Sequence, residues 1–154
     1  MGKISGWRVL LGGLFAGAIL LLGQGLLYMK LLAPQAAGLV KDNLWLPEPA
    51  FGSAVWAMIV VDLATGVLLA WLYAAIRPRL GPGLVTAIIA GLAAWSLMFL
   101  QGWVPEYVWS PRLRETAPLQ AVVSLVLYLL AASAAAWLYS EANGPAGSGR
   151  RRGR

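Results

Sequence analysis

The chain has 154 residues, of which 60% are apolar and only 12% charged, about half the ~25% charged residues usual in soluble domains; with its strongly positive mean hydropathy it reads as an integral membrane protein. At this size the spans use nearly the whole chain and leave little for an enzymatic domain. No Cys and no His are present, which removes disulfides, thiolate and imidazole metal ligands and histidine acid–base catalysis, so a non-enzymatic protein without cofactor or metal is expected.

In chain order, Lys3 and Arg8 precede an uncharged run from Val9 to Met29. This run exceeds the roughly 7–15 apolar residues of a signal peptide and reads as an uncleaved first span, over 9–29, closed by Lys30. Gly13 and Gly17 form GxxxG and, with Gly12 and Ala16, a small-residue face that lets another helix approach closely. Gly is also simply frequent in membrane helices, which is the plainer reading of the same residues.

Residues 31–49 contain three Pro together with Lys41, Asp42, Asn43 and Glu48 and read as a loop. A short amphipathic helix is expected around Gln35 to Trp45, with Trp45 at headgroup level. The second span, over 51–76, is long enough to cross a ~30 Å hydrocarbon core and carries one acid, Asp62, near its middle. The turn Arg77 to Gly83, RPRLGPG, is short, basic and rich in helix breakers, so the second span and a third over 84–104 are antiparallel neighbours. The third span has its own small face at Ala87, Gly91 and Ala94, and Trp103, Tyr107 and Trp109 follow it as an interfacial belt. A second outer loop holds Glu106, Arg112, Arg114 and Glu115. Pro118 opens the fourth span, over 118–139, and the polar tail 141–154 reads as a disordered basic cytoplasmic segment.

Lys3, Arg8, Arg77, Arg79 and the four tail arginines lie on one side of this topology; Lys30, Lys41, Arg112 and Arg114 lie on the other. Basic residues accumulate on the cytoplasmic side, so both termini are expected there. The net charge of +6 then belongs beside a bilayer and gives no nucleic-acid signal. The Arg150–Arg154 tail either binds anionic lipid, at ~1 kcal/mol per basic residue near the surface, or serves only to anchor the topology.

AWLY occurs twice, at Ala70–Tyr73 and Ala136–Tyr139; Gln24-Gly25 matches Gln101-Gly102, and Gly13-Leu14 roughly matches Gly91-Leu92. Two hairpins of one orientation imply a parallel repeat about an axis along the membrane normal. The AWLY register pairs Asp62 with Tyr128. Gly66, Ala70 and Ala74 follow Asp62 at i+4 spacing, and Ser124, Ala132 and Ala136 flank Tyr128 in the same way. Side chains four apart share a helix face, so Asp62 and Tyr128 are expected to point into the bundle, where the phenol can donate to the carboxyl group. Thr65 and Ser96 are further candidates for this intramembrane polar site.

An acid at such depth costs roughly 2.5–3.5 kcal/mol on insertion scales and faces protein or a wet cavity. Its functional reading is a carboxyl group that carries a proton or binds a cation. Its structural reading is a packing element bonded to Tyr128 or a serine. No second membrane acid or buried base completes a pathway. The outer charges and aromatics, Glu106 and Glu115 among them, read first as an ordinary bilayer exit, with a carboxylate pair acting on lipid as the sharper alternative.

The stretch Trp71 to Trp95, WLYAAIRPRLGPGLVTAIIAGLAAW, resembles a loose group of uncharacterised small four-span bacterial membrane proteins. The resemblance covers the central hairpin and implies a bacterial inner (plasma) membrane. Small multidrug transporters also have four spans but carry their essential acid in the first, where this chain has none. The expectation is an all-α, four-transmembrane-helix bundle that packs against a partner or a second copy, or holds a lipid. The alternative is a proton- or cation-coupled transporter or channel subunit centred on Asp62.

Overall fold

A computed structural model describes residues 6–42, 53–98, 101–102, 104, 108 and 116–141. They form α1 (Gly6–Leu27), a π-helical turn (Tyr28–Leu32), α2 (Ala33–Lys41), α3 (Ser53–Leu80), α4 (Leu84–Met98) and α5 (Ala117–Glu141), with no strand among the described residues. Three stretches, Gly6–Leu31, Val55–Leu80 and Ala117–Tyr139, are long and apolar enough to cross a membrane, and α4 is a shorter apolar helix. The protein is an all-helical membrane protein whose four apolar helices pack as a bundle.

Two boundaries differ from the expected ones. Lys30 lies inside the π-helical turn instead of ending the span, and the short helix expected from Gln35 begins directly after it, as α2 over Ala33–Lys41. In this wide turn the Ala33 N–H reaches back to the Tyr28 carbonyl, immediately before Pro34, which has no N–H to offer the next bond. The second span, α3, runs through Arg77-Pro78-Arg79 to Leu80, because proline's fixed φ is itself helical and its missing N–H removes only one bond near the end.

The third span is described over α4 and at residues 101, 102 and 104. At ~1.5 Å per residue the 15 residues of α4 cover about 22 Å, short of a ~30 Å core. Residues 99–100 lie outside the described residues, and Gln101 and Gly102 are again helical, in π geometry. At the other boundary of the bundle, α5 starts at Ala117, with Pro118 in the first turn, where its lack of an N–H costs no intrahelical bond.

Helix α1 packs most extensively on α3 and next on α5; α4 packs on α5 and less on α3; α3 and α5 also touch across the middle. The core is made mostly of alanine and glycine, with Leu20, Leu69, Tyr73, Tyr128 and Tyr139 as its large buried members. Lipid tails are as apolar as side chains, so burial of hydrocarbon contributes little here, and close van der Waals contact between backbones holds the helices together.

Between α3 and α4 the chain reverses in three residues. Gly81 has φ +84° and Gly83 φ +138°, conformations that side chains with a Cβ adopt at a cost. The Gly81 N–H donates to the Arg77 carbonyl at 2.9 Å, the Thr86 hydroxyl donates to the Gly81 carbonyl at 2.7 Å, and the turn is thereby closed on both sides.

Candidate functional site

Among the described residues, the closest backbone approach is between α1 and α3. A Cβ on Gly17 would stand 2.7 Å from the Leu63 Cα and 2.9 Å from the Asp62 carbonyl oxygen; one on Gly66 would stand 2.5 Å from the Gly17 Cα and would also strike the Gly13 carbonyl. One on Gly13 would meet the Val67 backbone. The three glycines therefore interlock, backbone on backbone. On its other side α1 meets α5, where a Cβ on Gly12 would lie 3.2 Å from the Ala135 carbonyl oxygen.

These contacts set the depth of the acid. Gly17 of α1 lies against the Asp62 carbonyl, and Gly91 of α4 lies against the Tyr128 carbonyl, with a Cβ there 3.2 Å away. Asp62 is half-buried, Tyr128 is 6% exposed, and the two are electrostatic neighbours. All four helices thus contribute to one level of the bundle. No hydrogen bond joins the phenol to the carboxyl group among the described residues, unlike the expected donation. Every sealed polar side-chain atom among the described residues has a partner, so the two polar tips are reachable from a surface of the bundle.

The other candidates are occupied locally or lie apart. The Thr65 hydroxyl donates to the Val61 carbonyl at 2.8 Å, which satisfies it within its own helix. Ser96 is half-buried on α4; the polar bridge between α4 and α5 is made by its neighbour, the Trp95 Nε1–H donating to the Ser124 Oγ at 3.0 Å. Ser124 in turn donates to the Ala121 carbonyl at 3.0 Å. Below Gly66, Ala70 and Ala74 are buried as the same ridge continues.

Sequence reasoning passed over a second cluster, at the Arg77 end. The Tyr73 and Tyr139 rings, the last residues of the two AWLY copies, meet edge to face at 6.0 Å with a 79° interplanar angle. The Arg77 guanidinium carbon lies 5.3 Å from the Tyr139 ring centre, and the Tyr73 hydroxyl accepts a long bond of 3.4 Å from the Gly83 N–H. Beside them a cavity of about 220 Å³, open to the surface, is lined by Tyr73, Gly83, Leu84, Ser133, Ala136 and Trp137. The signal that could have found it was the spacing of Tyr73 and Arg77, one helical turn apart and so on one face.

Trp45, Trp103, Tyr107, Trp109, Glu106, Glu115 and the Arg150–Arg154 tail lie outside the described residues. Comparison with protein-family models, with curated proteins and with solved structures finds no match to this chain.

Proposed function

We propose that this is a non-enzymatic protein of a bacterial inner membrane, both termini cytoplasmic, that packs against a membrane partner or a second copy and holds lipid. The interlock of Gly13, Gly17 and Gly66 carries this reading. Helices joined backbone to backbone form a rigid unit with small hydroxyls turned back on their own carbonyls, as at Thr65 and Ser133. Such a core suits a scaffold, with the basic tail resting on anionic lipid.

The same reading includes two hairpin repeats, and the pattern of burial supports them. On α3, Thr65, Gly66, Leu69, Ala70 and Tyr73 are buried; in the AWLY register their counterparts on α5 are Ala131, Ala132, Ala135, Ala136 and Tyr139, all buried. Helices α1 and α4 align likewise, with Gly17 matching Gly91. This register is one helical turn from the match of Gly13 to Gly91 made on sequence alone. It also makes two backbone contacts equivalent, Gly17 on Asp62 and Gly91 on Tyr128.

A second reading, a proton- or cation-coupled transporter or channel subunit, is favoured by one observation: the reachable Asp62 carboxyl group beside Tyr128, at the level where the four helices meet. Native mass spectrometry in mild detergent and dye-reported proton flux in liposomes separate the two. A stoichiometric second copy, protein partner or retained lipid, with no flux dependent on Asp62, is expected. A substrate- or cation-driven proton flux abolished by Asp62→Asn would put the second reading first.

A further inference from the structure

We propose that the cavity beside Tyr73 and Trp137 holds an acyl chain of an anionic phospholipid whose phosphate is bound by Arg77. This deepens the lipid-holding part of the proposed function and rests on it.

At about 220 Å³ the space is below the roughly 300–1,000 Å³ of pockets for compact drug-sized ligands, and it suits a linear hydrocarbon segment. Its lining is aromatic and aliphatic. Of its two hydroxyls, that of Ser133 donates to the Leu129 carbonyl at 2.7 Å and that of Tyr73 accepts from the Gly83 N–H at 3.4 Å, so both are engaged within the protein. The lining residues Leu84 and Trp137 are 62% and 55% exposed, large apolar side chains on the outside of apolar helices, where lipid is the solvent.

The headgroup assignment follows from charge. Arg77 is one turn beyond Tyr73 on α3, and its guanidinium lies over Tyr139, whose ring packs on the cavity-lining Tyr73. Neither Arg77 nor the exposed Arg79 forms an ion pair among the residues whose side chains are described, chiefly 6–31, 55–98 and 116–139. Arg77 meets the face of an aromatic ring, and guanidinium forks pair well with phosphate oxygens. Tyrosine, tryptophan and arginine at a helix end are also the residues of the headgroup level, which puts the phosphate beside Arg77 and the chain in the cavity.

The repeat explains why the space exists in one hairpin. Gly83 and Ser133 line it; in the register of buried positions their counterparts are Val9 and Val67, larger side chains that pack into or against the core. The second hairpin lacks that bulk.

The test is native mass spectrometry of the full chain extracted from nanodiscs of equimolar phosphatidylglycerol and phosphatidylcholine, with Ser133→Leu to fill the cavity, Arg77→Gln to remove the charge, and deletion of residues 150–154. The expected result is one retained phosphatidylglycerol per chain. Ser133→Leu should lower retention of both lipids at least fivefold, Arg77→Gln should remove the preference for phosphatidylglycerol, and the tail deletion should leave both unchanged. Arg77→Lys, which keeps the charge, should retain part of the preference and guards against a folding defect in Arg77→Gln. If the wild type retains lipid but neither Ser133→Leu nor Arg77→Gln alters it, or if the preference disappears with the tail, the site is wrong while lipid holding stands. If the wild type retains no lipid, both fail.

Discussion

Placing a methyl group at Gly66 tests the packing that the rest of the bundle depends on. In Gly66→Ala the new Cβ would stand 2.5 Å from the Gly17 Cα, whereas ordinary contact begins near 3.4 Å, so α1 and α3 must separate by about 1 Å. The obstructing atoms are backbone and cannot swing aside. A gap of 0.5–1 Å forfeits roughly a quarter to a half of each dispersion contact across it, and the same interface includes the approaches at Gly13 and Gly17. Overpacking of this kind costs about 1–3 kcal/mol. The gain of up to ~1 kcal/mol in helix propensity offsets only part of that, and less in a membrane, where the separate helices are already formed. Gly25 is the control, since a Cβ there meets nothing within 4 Å. Reversible unfolding in mixed micelles, followed by tryptophan fluorescence, should show Gly66→Ala less stable by about 1–2 kcal/mol and Gly25→Ala within ~0.5 kcal/mol of wild type. Equal stability of the two variants would refute the interlock.

Other outcomes follow from single contacts. Gly83→Ala places a side chain at φ +138° and should cost about 1–3 kcal/mol by the same unfolding assay, although a Cβ there meets no neighbour; an unchanged midpoint would mean the turn relaxes freely. A double-mutant cycle of Tyr73→Leu and Tyr139→Leu should give a coupling of about 0.5–1.5 kcal/mol from the edge-to-face rings, and additive losses would count against the contact. Trp95→Phe with Ser124→Ala should couple by roughly 0.6 kcal/mol, the average found for interhelical hydrogen bonds in a membrane; a coupling of zero in nanodiscs would remove that bridge. Asp62→Asn breaks no hydrogen bond among the described residues, so its stability should match or exceed wild type, and a loss above ~1 kcal/mol would reveal a packing role for the carboxylate.

The amino-acid sequence by itself determined the class of this protein. Apolar runs of some 20 residues leave a hydrogen-bonded helix as the form in which the backbone can cross lipid, and the scarcity of charge makes lipid the solvent. Glycine and alanine four residues apart also determined which faces could pack closely, since helical periodicity alone puts Gly13 beside Gly17 and Asp62 beside Gly66. The helix ends were less legible. Pro34 and Pro78 are breakers by composition, yet a wide turn and a compatible φ carry the helix past each of them.

What the tertiary structure decided is which small face meets which. Periodicity cannot say that Gly66 enters the notch between Gly13 and Gly17, because a complementary fit belongs to a pair of surfaces and not to either one. It placed Asp62 and Tyr128 at one depth but without the expected hydrogen bond, a matter of ångströms that spacing does not encode. The cluster at Tyr73, Arg77 and Tyr139 exists only where α5 packs on α3, and the cavity beside it only once the turn at Gly81 and Gly83 brings Leu84 back beside α3. A space left by the absence of side chains has no residue of its own to announce it in the chain.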